Sequence, residues 1–335
     1  MKRFKTTTLF LVLILAVFLV NLQAGDRKEI RKTFNGIELV RFKTMTGNCI
    51  VKKAEGNDVT VHLEYESGDD FFKPHISKEG TTLVIRDKLG SGEDSMWTIF
   101  VPVKTAVNVT SISGNCTIEG VTADIDVKTV SGNIEAMDCT GDIKLFSTSG
   151  ELNAANLTGD IGIHGMSSDL KIKKLVGELE IKTASGDIEA SDLEGKISMK
   201  VASGDIEIEN AKGEFKIQTA SGDIEAKGIT ITNPSSLKVA SGDVELILAV
   251  SPAHDLNLAT ASGNVVLDYN GNPINGWFEF KSRVDSGRII SPFPFDKEEV
   301  EEKWGKKYNV KSFKKGSGTP KIYIHTSSGT AELKK

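Results

Sequence analysis

The sequence is short of proline, aromatic residues and cysteine, carries little net charge, and has no apolar run long enough to cross a bilayer comfortably. A net charge of −5 with no polybasic stretch argues against a broad nucleic-acid footprint. The longest apolar run, Leu9 to Val20, is twelve residues, where a spanning helix needs about 20. Basic residues Lys2, Arg3 and Lys5 precede it, and Leu22-Gln23-Ala24 offers a small-residue cleavage site before Gly25. Residues 1–24 therefore read as a cleaved export signal; an uncleaved segment acting as a membrane anchor is the alternative. No cysteine stands at the cleavage site, so a lipoprotein anchor is not indicated. The three cysteines are an odd number, which leaves at least one thiol unpaired within a monomer. Cys49 and Cys116 both hold the fourth place of a Thr/Ser-Gly-Asn-Cys turn where later repeats carry Ile or Leu, so they are expected as small buried apolar residues. A Cys116 to Cys139 bridge between neighbouring coils is the competing expectation. The five histidines (His62, His75, His164, His254, His325) lack metal-ligand spacing. No Gly-x-Ser-x-Gly elbow and no phosphate-binding Gly-Lys-Ser/Thr loop is present.

What the chain has instead is glycine, 32 of them, and repetition. Thr-Ala-Ser-Gly-Asp-Ile-Glu-Ala occurs at residues 183–190 and again at 219–226. The Ser that opens each unit recurs at Ser113, Ser131, Ser149, Ser167, Ser185, Ser203 and Ser221, always 18 residues apart. The spacing then loosens through Ser241 and Ser262, with weaker echoes at Ser286 and Ser328. A fixed period of this length is the signature of a stacked repeat.

Counting the opening Ser as position 0, apolar residues recur at positions 3 and 5 (Ile188, Ala190), 8 (Leu193), and 12 and 14 (Ile197, Met199). Pairs two apart are strand alternation, and no helical spacing persists. Glycine falls every nine residues, from Gly132, Gly141 and Gly150 to Gly204, Gly213 and Gly222, with Ser168 as the exception. Each coil thus reads as two nine-residue halves, each a short strand entered through a glycine corner. A three-sided solenoid of hexapeptides is excluded, because positions 3, 9 and 15 are unlike one another. The pattern predicts an all-β, right-handed parallel β-solenoid (β-helix), its hand following the general preference for right-handed parallel crossovers. Eight or nine coils at about 4.8 Å each would make a rod of about 40 Å. The expected organisation is a signal at 1–24, irregular β coils and a cap at 25–110, regular repeats at 111–268, and C-terminal coils with a cap at 269–335. That last part includes a short charged helix from Asp296 to Trp304 and a final strand at 318–325.

The strand Trp97-Thr-Ile-Phe-Val-Pro102, the Ser-Gly-Asn/Asp-Ile repeats such as Ser131 to Ile134 and Ser185 to Ile188, and a late Gly-x-Pro-x-Ile strand ending in Ser328-Gly329 resemble a bacterial family of unknown function known as putative adhesins. The resemblance covers most of the mature chain and implies an exported β-solenoid in the bacterial envelope or outside it. It brings no catalytic motif and no site residue.

Positions 2 and 4 form an acidic ladder of Asp187, Asp205, Asp223 and Asp243 beside Glu189, Glu207, Glu225 and Glu245. Two readings compete: a solvated negative face that keeps a long sheet from sticking to others, and a site for Ca²⁺, which takes six to eight oxygen ligands, or for a cationic partner. Calcium-binding nonapeptide rolls carry a double glycine that is missing here, so metal is the weaker reading. The clearest break in the repeat, His164-Gly-Met-Ser-Ser-Asp169, is where a polysaccharide-active enzyme would place its site; no convergent base and partner can be named there. Lys303, Lys306, Lys307, Lys311, Lys314 and Lys315 make the tail locally basic, and no aromatic stacking pattern accompanies them. The expectation is a non-enzymatic exported envelope or cell-surface protein, adhesin-like or structural, whose partner is a surface polymer or protein, with no cofactor. Alternatives are the polysaccharide-active enzyme and a membrane-anchored envelope module.

Overall fold

The computed structural model describes residues 27–66, 74–87 and 95–335. Residues 1–24, where the export signal falls, lie outside them. The described residues form strands and turns without a helix. Leu152–Ser167, Leu170–Ser185 and Ile188–Ser203 are three successive coils paired in parallel with a register of 18 residues, so that Leu152, Leu170 and Ile188 stack, as do Gly159, Gly177 and Gly195. The period read from the sequence is therefore the height of one coil. Positions 3, 5, 8, 12 and 14 point inward and are buried along the solenoid, as in Ile188, Ala190, Leu193, Ile197 and Met199. One interior column covers nearly the whole chain, because no coil can bury its own apolar side alone.

Three further features complete the coil. The place two residues before the next Ser, position 16 of the 18-residue coils, is also interior and is filled by small hydroxyl residues such as Thr129, Ser147, Thr183, Thr219, Thr260 and Thr326. Their hydroxyls are satisfied locally: Thr183 Oγ1 donates to the Ser185 carbonyl at 2.9 Å and Thr326 Oγ1 to the Gly263 carbonyl at 2.8 Å. The glycine corners at positions 1 and 10 are needed for close stacking as much as for backbone freedom. At Gly195 (φ 134°) a Cβ would lie 1.9 Å from the Gly177 carbonyl oxygen of the coil below. A third corner, at position 7, divides the first half of the coil: Asp138, Asn156, Lys174, Asp192 and Asn210 all sit in the left-handed region with φ between 54° and 57°. Asn and Asp tolerate that region better than other side chains.

Both ends break chain order. Near the N-terminus, Leu39–Thr44 lies between Thr82–Arg86 and Ala106–Ser111, and Asn48–Lys53 lies between Met96–Val101 and Cys116–Glu119. The chain builds one coil, passes outward to add the next, and then returns to the inner side. Arg27–Phe34, Val59–Glu66 and His75–Glu79 cover this end with antiparallel pairings. At the other end the last strand, Lys321–Lys334, stacks on Leu256–Ser262 and Val265–Asp268 on one side. On its other side it pairs with Gly276–Arg283 and Gly287–Ile290, which precede it in sequence.

Two expectations are corrected here. The segment expected as a helix from Asp296 to Trp304 is the strand Lys297–Lys303, antiparallel to Lys306–Lys315. Its Glu and Lys spacing suits a helix, but Trp304 (φ 48°) and Gly305 (φ 68°) close a two-residue hairpin turn, and Lys306–Lys315 covers the open edge of Gly276–Arg283. The Cys116 to Cys139 bridge is absent: all three thiols are buried and free. Cys49 stands opposite Cys116, whereas Cys139 turns inward at position 8 and donates to the Met137 carbonyl at 3.1 Å. Burial holds the Cys49 thiol well above the usual range, and its contact with Cys116 adds to the effect.

Candidate binding faces

The acidic ladder divides into two columns with different roles. At position 2 the Asp side chains each accept a hydrogen bond from the backbone N–H of the same position one coil on. Asp169 Oδ1 accepts from Asp187 (3.1 Å), Asp187 from Asp205 (2.9 Å), Asp205 from Asp223 (2.8 Å), Asp223 from Asp243 (2.7 Å) and Asp243 from Asn264 (2.7 Å). Asparagines do the same elsewhere in the column: Asn48 Oδ1 accepts from Asn115, Asn115 from Asn133, and Asn264 from Thr330. The Asp or Asn after each Ser-Gly thus satisfies an N–H at the corner that the strand ladder leaves open. Sequence reading missed this role, although the interchange of Asp and Asn at one position was its visible sign.

The position-4 glutamates instead face solvent. Lys171 lies 3.9 Å from Glu189, and Lys227 pairs with Glu225. Asn153, Lys171, Glu189 and Glu207, together with Lys173 and Glu209 of position 6, line a shallow groove of about 420 Å³ that crosses four coils. Among the described residues no group of three or more His, Cys, Asp or Glu is placed to hold a metal ion. The eight ladder carboxylates named as metal candidates are brought into two columns, not into a cage.

A second mixed-charge groove, about 460 Å³, runs over Asp142, Asp160 and Glu178 at position 11 and over Lys144 and Glu180 at position 13. Gly162 opens it by withholding a side chain. Lys196 bridges to Glu178 across one coil at 2.6 Å. Beyond these lies position 15, with Lys200, Gln218 and Lys238 beside the exposed Ala202, Ala220 and Ala240, lining another open groove of about 460 Å³.

His164 and Asp169 are not assembled into an acid–base pair. His164 Nε2 lies 3.8 Å from Glu180, whose carboxyl is held below its ordinary range chiefly by Lys182. Asp169 is engaged with the Asp187 N–H. The exceptional Ser168 is buried, with its hydroxyl unpaired, and takes the corner place that Gly186 takes in the next coil.

Another titratable group lies in the C-terminal coils. His325 Nε2 is 3.1 Å from Glu279 Oε1, and the neighbouring Lys281 is bonded to Glu301 at 2.6 Å. Burial, with Lys281 assisting, pushes His325 down to about 4, so its ring is neutral near pH 7. Burial raises the Glu279 carboxyl. Nothing in the spacing of these residues along the chain brings them together, because the pairing of 277–281 with 321–325 reverses chain order.

The molecule is a parallel β-solenoid repeat protein whose outer surface is organised in columns of residues from equivalent coil positions. The chain belongs to the Toastrack DUF4097 family, which matches it over residues 29–276. A comparison with curated proteins finds no match. Solved structures similar to it include a putative lipid binding protein from Parabacteroides distasonis ATCC 8503, with 12% identity, 93% of this chain and 97% of that one covered, and a TM-score of 0.32. A putative adhesin from the same organism has 15% identity over 74% of this chain and 91% of its own, with a TM-score of 0.31. A putative adhesin from Parabacteroides merdae ATCC 43184 has 12% identity over 74% and 90%, with a TM-score of 0.30. At these identities and scores the likeness carries no functional argument.

Proposed function

We propose that this is a non-enzymatic, exported envelope or surface protein that engages an extended polymer or protein along the faces of its solenoid, the adhesin-like role that the family resemblance implies. Export rests on the signal-like residues 1–24. The observation that carries the binding role is the groove at Asn153, Lys171, Glu189 and Glu207, which presents the same coil position four times in succession. A groove whose polar side chains step from coil to coil at about 4.8 Å suits a partner that is itself extended, so affinity is spread over several coils. An active site, in contrast, concentrates function in one constellation.

The test is to screen the exported protein against envelope polysaccharides and surface polymers, and then to titrate the best binder against Glu189→Gln, Glu207→Gln and the double variant. Distributed binding predicts a partial loss from each and an approximately additive loss from the pair. Complete loss from either single change, or turnover of the polymer, would refute the reading.

A further inference from the structure

The hairpin of Lys297–Lys303 and Lys306–Lys315 closes at Trp304-Gly305, both with positive φ, the geometry of a type I′ turn. Asn-Gly and Asp-Gly are the residues such a turn favours. A tryptophan at the first place works against the turn, and it obtains no burial in return: Trp304 is 85% exposed. Its ring is covered only by the Lys303 ammonium, 4.5 Å from the centroid. Proteins break such local rules at functional or strained sites.

The surroundings of the indole specify a ligand chemistry. Lys303, Lys306 and Lys307 flank it, and residues 303–307 contain no acidic group. Along the body of the hairpin the lysines alternate with acid, Lys297 paired with Glu299 and Lys311 with Glu298, whereas residues 303–307 carry lysine alone. Arg283 stands opposite Tyr308 and the Val284 N–H donates to the Lys307 carbonyl at 3.0 Å, so residues 303–306 overhang the end of the neighbouring strand. A long polyanion lying along the hairpin would meet the glutamates. A flat anionic surface met end-on would meet only the lysines and the indole. Tryptophan and lysine together are the pair that settles at a bilayer interface, the ring at headgroup depth and the ammonium groups among anionic headgroups. We propose that the Lys303–Lys307 tip is a contact site for an anionic lipid bilayer, with Trp304 entering the headgroup layer.

The test uses the full protein as recovered from the exporting cell and compares it with two variants carrying the same N-terminus. Trp304→Asn removes the indole while installing the favoured Asn-Gly turn, so the hairpin is strengthened, not broken. The triple variant Lys303→Gln, Lys306→Gln, Lys307→Gln keeps the turn and removes the charge. Binding is measured by co-flotation with vesicles of phosphatidylglycerol in phosphatidylcholine and with phosphatidylcholine alone. Brominated lipids then report on the indole, with Trp304→Asn supplying the background emission of the other two tryptophans: Trp97, fully buried in the core, and Trp277, half-buried at the end of Gly276–Arg283 away from the tip. The expected results are quenching of wild-type emission by brominated anionic vesicles, loss of that quenching in Trp304→Asn with about tenfold weaker binding, and about hundredfold weaker binding in the triple variant, at about fivefold per lysine. Binding unchanged in both variants, equal binding to neutral vesicles, or binding to a soluble polyanion without lipid quenching would each overturn the proposal. So would a dimer that Trp304→Asn dissociates.

Discussion

Replacing Asp205 by Asn and by Ala separates the two reasons a carboxylate could stand at position 2. In the structure Asp205 Oδ1 accepts the Asp223 N–H at 2.8 Å, while its own N–H donates to Asp187 at 2.9 Å. If the side chain is there as an acceptor, Asn serves equally well, as Asn115 and Asn133 already do. Asn also relieves repulsion, since Asp187 and Asp223 lie one coil away on either side. Two unit charges about 4.8 Å apart in water repel by just under about 1 kcal/mol before salt screening, which reduces the effect at an exposed face. Asp205→Asn is therefore expected to be neutral or to stabilise the protein slightly, with the gain fading as salt rises. Asp205→Ala loses the acceptor and should cost about 1 kcal/mol, a fall in Tm of about 2 °C for a chain of this size. Thermal unfolding followed by circular dichroism, at low and high salt without added divalent cation, measures both. If Asn destabilises as much as Ala, the charge itself is required, and the backbone-acceptor account of the Ser-Gly-Asp repeat is wrong.

Gly195→Ala should be far more damaging, by about 3 kcal/mol, because a Cβ 1.9 Å from the Gly177 oxygen forces two coils apart at a backbone of positive φ; denaturant titration checks it, and a change below about 1 kcal/mol would show that the coils are not packed this closely. Lys174→Asn should stabilise by about 0.5–1 kcal/mol, since it places a residue tolerant of φ 54° where Asn156 and Asp192 already stand in the neighbouring coils; no gain in Tm would count against the third corner. His325, lowered to about 4 by burial, contributes stability that is present above its unfolded value near 6.5 and is lost as pH falls through about 4. The raised Glu279 acts in the opposite direction, gaining stability as it protonates. Stability of the wild type measured from pH 7 to pH 4 should therefore fall relative to His325→Gln by up to about 3 kcal/mol. Parallel curves for the two proteins would remove His325 as the source.

The regular solenoid was legible because its determinants are local and repeated. A residue such as Ile197 shows its inward direction through its neighbours at 195 and 199, and the 18-residue period states which coil it stacks on. The same logic fails at the ends. Ser328 shows the Ser-Gly corner, but nothing local says that it stacks on Ser262, which lies 66 residues back, with the whole cap threaded between. The strand Lys297–Lys303 shows charge spacing that suits a helix, and only the unpaired edge of Gly276–Arg283 decides against it. The position-16 threonines were missed because a hydroxyl reads as surface until its carbonyl partner two residues on is seen. The candidate faces were legible as columns, but the division of labour between the position-2 and position-4 carboxylates was not, because it depends on which way each side chain turns.

The reversed order at the C-terminus has a mechanical consequence. In a solenoid built strictly in sequence, the last coil has one bonded edge and one free edge, and its removal merely exposes the coil beneath. Here Lys321–Lys334 is bonded along both edges, to Leu256–Ser262 and Val265–Asp268 on one side and to Gly276–Arg283 and Gly287–Ile290 on the other. Its interior residues Ile322, Ile324, Ala331 and Leu333 belong to the continuous core. A chain ending before Lys321 would thus lose a middle layer: the cap would detach from the body, and two rows of backbone donors and acceptors would open to other chains. Such a truncation is expected to aggregate or to become protease-sensitive throughout residues 276–315, although it removes only the C-terminal strand. Limited proteolysis and size-exclusion chromatography of that chain provide the check. A monomer with the wild-type Tm and a protected cap would show that Lys321–Lys334 is an outer strand and that the clamped order is wrong.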